Sequence, residues 1–211
     1  MSTNIVARAL FNRANDPTPE PPPVENARWI RLTKGCFALV DSIWYDFLMQ
    51  WNWSAIVIGK KKLVYAIRGI TRSGKQSFIY MHRVVVDAKP RDIVDHSNHN
   101  TLDNRISNVR VADKTQSQQN RKPQSNNKSG FKGVFWVDRR LTPGSWVARI
   151  KANGVDIHLG FYPTAERAAV AYDCAARLLF KEFAWLNFPE RETPSHVMKY
   201  VATRIQRRLS R

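Results

Sequence analysis

The stretch RKPQSNNKSG, residues 121–130, is polar, basic and rich in Ser, Asn and Gly, the composition of a linker. It constrains the fold strongly, because a different apolar pattern lies on each side of it. A chain of 211 residues holds one medium domain or two small ones, and this interruption points to two. With 43% hydrophobic and 11% aromatic residues, seven of them Trp, the composition forms cores rather than disordered coil.

Residues 1–27 end in NDPTPEPPPVEN and read as an extended, poorly ordered lead-in. From Trp29 the pattern becomes globular. WIRLTKGCFALVD alternates like a strand pair around a turn at Lys34 and Gly35. SIWYDFLMQWNW carries Ile43, Phe47, Leu48 and Trp51 at helical spacing, which predicts a short helix. LVYAIRGI and SFIYMHRVVV read as two strands joined by the turn TRSGKQ. Beyond the linker, GFKGVFWVDRR, GSWVARIKAN and VDIHLGFY predict three short strands. TAERAAVAYDCAARLLF then predicts a helix, with Thr164 placed to cap its first turn. The tail SHVMKYVATRIQRRLSR forms one more basic helix or a charged end. The fold class is α+β, and no internal repeat is visible.

Charge narrows the function. Against 17 Asp and Glu stand 34 Lys and Arg, a formal +17 with a pI near 10.4, which points to a polyanionic partner, most simply nucleic acid. Cys36 and Cys174 lie far apart with no CxxC spacing. That excludes a zinc finger and a disulfide scaffold and suits a reducing compartment. The amino terminus has no apolar core of signal-peptide length, and no run approaches the roughly 20 apolar residues that span a bilayer. The expectation is a soluble cytoplasmic protein, in which the glycosylation-like triplets at Asn52 and Asn127 are coincidences.

Chemistry is concentrated in VVDAKPRDIVDHSNHNTLDNRISNVRVADKTQSQQNRK, residues 85–122, dense in Asp, His and Asn. Asp95 is a hard oxygen donor suited to Mg²⁺ or another divalent cation, and His96 can serve as a general base near neutral pH. On a strand the two neighbours point to opposite faces, so one can hold a metal while the other faces a water. Asn108 could return on a second strand to fix the imidazole or brace the intervening loop. A helix starting near Asp113 could deliver a further ligand. The set fits phosphodiester hydrolysis, with a metal polarising the phosphate. A polar turn, in which these side chains cap backbone groups, is the plainer alternative.

MHRVVV, VDHSNHNTLDNRISNVR and QSQQNRK resemble, in order and spacing, the HNH endonucleases of the homing type, and IRLTKGCFALVDSIWYDFLMQWNWSA resembles the region before that core in phage-type members. The resemblance implies a ββα-metal domain over residues 28–122. By position Asp95 would be a metal ligand, His96 the general base and Asn108 the residue that organises the site. Nine residues after Asn108 the family carries Asn or His as second metal ligand, and here stands Ser117. Asp113 and Asn120 are potential substitutes on the same helix. His82 reads as structural and His99 as part of the turn.

After a linker at 123–130, residues 131–190 resemble the ethylene-response-factor (APETALA-type) DNA-binding domain. The markers are the W-x-A-x-I of WVARI, LGFYPTAERAAVAYDCAA and LNFP. The resemblance implies a three-stranded antiparallel sheet on one helix, with the sheet entering the major groove. Arg149 and Lys151 would face outward opposite Ala148 and Ile150, joined by Lys132, Trp136 and His158. Arg139 and Arg140 would pass phosphates, and Tyr172 matches a family tyrosine that can reach phosphate. Phe135, Asp156 and His158 stand where the family carries Arg or Trp, so the target sequence does not transfer. Trp146, Leu159, Phe161 and Leu186 read as core.

Together these point to a homing endonuclease acting on double-stranded DNA, with no membrane and no evident protein partner, and a basic tail at 191–211. In a phage-encoded protein the compartment would be the host cytoplasm. The rivals are a DNA-binding protein whose nuclease core is impaired at Ser117, and a sequence-indifferent nuclease, which the dedicated sheet domain disfavours.

Overall fold

The computed structural model describes residues 19–60, 62–139 and 142–210, with the backbone alone at 139, 142 and 143. The first 18 residues of the expected lead-in lie outside the described residues. The chain divides into two compact units, Met1–Lys114 and Thr115–Arg211. Both mix helices with small antiparallel sheets, an α+β architecture. Among the described residues no helix is long and apolar enough to cross a membrane.

In the first unit β1 (Ala27–Arg31) and β2 (Phe37–Asp41) pair antiparallel from Ala27↔Asp41 to Arg31↔Phe37. Lys34 and Gly35 turn the chain with φ of 61° and 64°. Then follow α1 (Ser42–Leu48) and a meander of β3 (Ser54–Ile58), β4 (Leu63–Arg72) and β5 (Lys75–Tyr80). After α2 (Met81–Val85) comes a second hairpin of β6 (Ile93–His96) and β7 (Val109–Ala112). Ile30, Val40, Leu48, Trp53, Ala66, Met81, Val85 and Leu102 close the core.

Three elements differ from expectation. The run SFIYMHRVVV leaves the sheet at Tyr80 and turns helical, although its valines favour strand. A single turn of helix puts Met81 and Val85, four apart, on one face, and both are buried. Strand β3 has no counterpart in the sequence reading. In α1 only Leu48 is buried, while Ile43 is 87% exposed. The two are five positions apart, about 140° around a helix, so burying one turns the other out.

The second unit begins within α3 (Lys114–Gln119). Its sheet has the order β10-β9-β8, built from β8 (Val134–Arg139), β9 (Thr142–Ala152) and β10 (Val155–Tyr162). Helix α4 (Ala165–Phe180) covers one face, and α5 (Ser195–Leu209) packs on α4 and β10. Thr164 caps α4 by accepting a hydrogen bond from the Arg167 amide at 3.3 Å. The alanines Ala168, Ala169, Ala171, Ala175 and Ala176 are fully buried and let the helix approach the sheet closely.

The boundary falls before residues 123–130 because local bonds bind this stretch to the second unit. Ser129 Oγ donates to the Val134 carbonyl and Asn127 Nδ2 to the Phe131 carbonyl, both at 2.7 Å. The tail likewise belongs to this core, into which α5 inserts Val201 and Ile205.

Asp173 on α4 is buried and anchors the segment after it. Its carboxylate accepts from the Asn187 amide and side chain at 2.8 and 2.9 Å, and from the Phe188 amide at 2.8 Å. Burial raises its pKa, against the lowering effect of these bonds. Asp173→Ala strands those donors and should cost about 2–4 kcal/mol, read as a drop in the denaturation midpoint of the second unit.

Candidate functional site

Alternation along β6 separates its two central side chains. Asp95 stands opposite Arg110 in the ladder and His96 opposite Val109. Asp95 Oδ2 accepts hydrogen bonds from Arg110 Nη2 at 3.0 Å and Nε at 3.3 Å. His96 is 6% exposed. Its ring meets His82 edge-on at 5.0 Å, and the rings of Tyr65 and Tyr80 complete the packing around the pair. His82, from α2, is thus a direct neighbour of His96, and its Nδ1 is buried with no hydrogen-bond partner among the described residues.

Desolvation dominates both imidazoles. It lowers the pKa of His96 to about 4, opposed by a hydrogen bond with the Asn104 side chain and by Asp95 and Asp103. It lowers that of His82 to about 3, with His96 and Arg83 adding to the effect. Burial thus favours the neutral form of both rings, the form a base requires.

These shifts carry a stability prediction. Both folded pKa values lie below the ordinary histidine value of 6.5. As pH falls below 6.5 the unfolded chain takes up protons first, so stability is full above that value and declines towards pH 4 and 3. Each histidine contributes a slope of up to about 1.4 kcal/mol per pH unit. Chemical denaturation at pH 7 and pH 5 should show the loss, and a His82→Phe variant should reduce it.

Asn108 is buried and braces the loop between β6 and β7. Its Oδ1 accepts from Ser97 Oγ and the Asn98 amide, both at 2.9 Å, and its Nδ2 donates to the Asp103 carbonyl at 2.7 Å. Asp103 in turn is gripped by both arms of Arg105 and by Asn98 Nδ2. The loop is pinned to β2 through Leu39, whose amide donates to Leu102 and whose carbonyl accepts from Asn104. His99 sits in the turn with φ of 61°. Of the two tasks open to Asn108, the structure shows the loop-bracing one.

Ser117 is a half-buried residue of α3 in the second unit, with Asp113 just before that helix and Asn120 just after it. Among the described residues no group of three or more His, Cys, Asp and Glu is arranged to hold a metal ion. The donor chemistry of Asp95, one hard carboxylate, suits a hydrated divalent ion that keeps most of its waters, not a closed cage.

On the second unit's sheet, the face away from α4 carries Phe135, Arg149, Lys151, Asp156, His158 and Phe161. Arg149 and His158 are paired in register, and the Arg149 guanidinium lies 5.2 Å from the Phe135 ring centroid. Phe161 is 48% exposed here, not core. A bulge between His158 and Gly160 shifts the alternation and turns it out.

Other expected contact residues lie elsewhere. Trp136 pairs with Trp146, so strand alternation puts it on the opposite face from Arg149. Lys132 lies before β8, its amine held by Gln119, and burial, aided by Arg121, lowers its pKa to about 8. Tyr172 is buried in the core, and desolvation pushes its phenol well above the ordinary value. Arg139 ends β8 with its side chain outside the described residues, as is the whole of Arg140.

Over 156 residues, 73% of this chain and 76% of that protein, the chain is 32% identical to an uncharacterized HNH endonuclease of Acanthamoeba polyphaga mimivirus. The chain belongs to the HNH endonuclease family. No family model matches it, and no solved structure does. This HNH-family chain has a second set of relatives over a shorter stretch. It is 42% identical over 66 residues to dehydration-responsive element-binding protein 2A of Arabidopsis thaliana, covering 30% of this chain and 18% of that protein. It is 45% identical over 62 residues to protein 2D of the same name and organism, 28% of each.

Arg110, Tyr65 and Tyr80 escape sequence reasoning. A signal for Arg110 was present, since it lies two residues past Asn108 on the strand expected to return beside Asp95. The tyrosines are gathered by tertiary packing, which leaves no local pattern.

Proposed function

We propose that this HNH-family chain is a site-specific DNA endonuclease of the homing type, which hydrolyses a phosphodiester bond with His96 as general base and one divalent metal. The observation that carries the reading is His96, buried beside Asp95 at the end of β6, where the following loop is braced by Asn108. His96 accepts the proton of the attacking water, and the packing of His82 and Tyr65 holds its ring in one orientation. Asp95 would hold the ion, with Ser117 the second donor that the family resemblance implies. When bound, a divalent ion supplies charge stabilisation at the phosphate and the leaving oxygen.

The nuclease domain spans 28–122, and the domain at 131–190 supplies DNA binding through Arg149, Lys151 and His158 on its outward sheet face. Tethering the two raises the effective concentration of the cutting domain at its target without new contacts. The pairing of Asp95 with Arg110 favours a second reading, a DNA-binding protein whose core has lost its metal. Supercoiled plasmid bearing a bound sequence separates the two. Conversion to the nicked form in Mg²⁺ and its absence in EDTA support the nuclease. Binding without nicking, with nicking restored by Ser117→Asn, supports the alternative.

A further inference from the structure

The C-terminal helix does more than close the second core. Its buried side, Val201 and Ile205, locks it to α4 and β10. The fit is close: a Cβ added to Gly160 of β10 would lie 2.9 Å from the Tyr200 hydroxyl. At its C-terminal end, Arg208 Nε donates to the Asp156 carbonyl at 3.3 Å, fastening the helix to the edge strand. Arg204 is held by its own helix, donating to the Tyr200 hydroxyl from Nη2 at 2.8 Å and from Nε at 3.2 Å.

This docking sets Arg204, Arg207 and Arg208 beside Arg149 and His158 of the outward sheet face. Together with Asp156 they line an open groove of about 540 Å³. Four guanidinium groups face one carboxylate there, and among the described residues none of the four is within 4.0 Å of a carboxylate. Four like charges gathered with a single carboxylate repel one another, and a polyanion relieves that repulsion. The guanidinium fork matches phosphate oxygens in a paired, directional way that a lysine cannot. An open trough suits a backbone passing over it better than an enclosed small anion.

We infer that α5 is a second wall of the nucleic-acid surface, where Arg204, Arg207 and Arg208, with Arg149, grip the phosphate backbone of duplex DNA alongside the bases faced by the sheet. The inference rests on the DNA-binding reading above and adds a phosphate site outside the stretch at 131–190.

The test measures full-length protein binding to a labelled DNA duplex over a salt series. Arg204→Gln, Arg207→Gln and Arg208→Gln are combined in one variant. A control variant carries Arg167→Gln, Lys181→Gln and Arg191→Gln, which remove the same charge away from the groove. Each lost phosphate contact lowers the slope of log K against log salt by about 0.9. The groove variant should lose a slope of roughly two to three and bind at least roughly ten-fold more weakly at moderate salt, while the control keeps the wild-type slope. Should the triple variant melt much lower than wild type, Arg207→Gln alone should still lower the slope by about one. An unchanged slope in the groove variant, or an equal loss in the control, overturns the inference. So does a larger arginine-dependent loss on an RNA duplex, which would name RNA as the ligand. Failure of wild-type protein to bind any duplex would instead sink the DNA-binding reading on which the inference stands.

Discussion

His96→Ala is expected to lower the single-turnover rate of DNA cleavage by roughly 10²–10⁴-fold while leaving DNA affinity within a few-fold of wild type. The ring is buried, burial lowers its pKa, and the nearest other imidazole, His82, sits on α2 with its ring against that of His96, not on the β6 strand beside Asp95. Truncation removes the proposed proton acceptor and leaves the sheet of the second unit untouched. A His96→Gln variant keeps much of the volume and none of the basicity, so it should be as slow as the alanine. If His96→Gln cut at the wild-type rate, the imidazole would be a packing residue and another group the base.

The second large effect is expected far from that chemistry. Gly133→Ala should destabilise the second unit by about 3 kcal/mol or more. The residue has φ of +72°, and an added Cβ would lie 2.0 Å from Tyr172 Cδ2 and 2.6 Å from the Arg149 carbonyl oxygen. Relief is blocked on both sides. Tyr172 is wedged in the core, and Arg149 donates its amide to the Gly133 carbonyl at 2.8 Å, the bond that starts the β8–β9 pairing. Chemical denaturation should show a lowered midpoint for the second unit, with weakened DNA binding in parallel. A midpoint equal to wild type would mean that the close contact between Gly133 and Tyr172 is not part of the folded protein.

Much of this was legible because it was local. The strand alternation of WVARIK and the cap of TAERAA depend on neighbours in sequence, and Arg149, Lys151 and Thr164 stand where periodicity places them. Adjacent residues Asp95 and His96 likewise needed only a strand beneath them. What was not legible depends on contacts distant in sequence. Met81 and Val85 form a helical turn because the core accepts both, against the strand preference of the valines around them. Tyr172 looked like a phosphate contact until the missing side chain of Gly133 made room for its ring in the core. Sequence alone offers Trp136 to the outward face, and only its register with Trp146 places it on the other side. The arginines of α5 were plain in the sequence as charge, but their place beside Arg149 follows from the burial of Val201 and Ile205.

The central claim, that one chain both finds a DNA sequence and cuts it, is tested most directly by sequencing the ends that the protein makes. Randomised duplex DNA is incubated with wild-type protein in Mg²⁺, in EDTA, and with His96→Ala in Mg²⁺. New ends should appear with wild-type protein in Mg²⁺ alone, and they should cluster around one recurring sequence. Metal-independent ends, or equal ends from His96→Ala, would contradict the account at its core, and so would duplex that is bound but never cut.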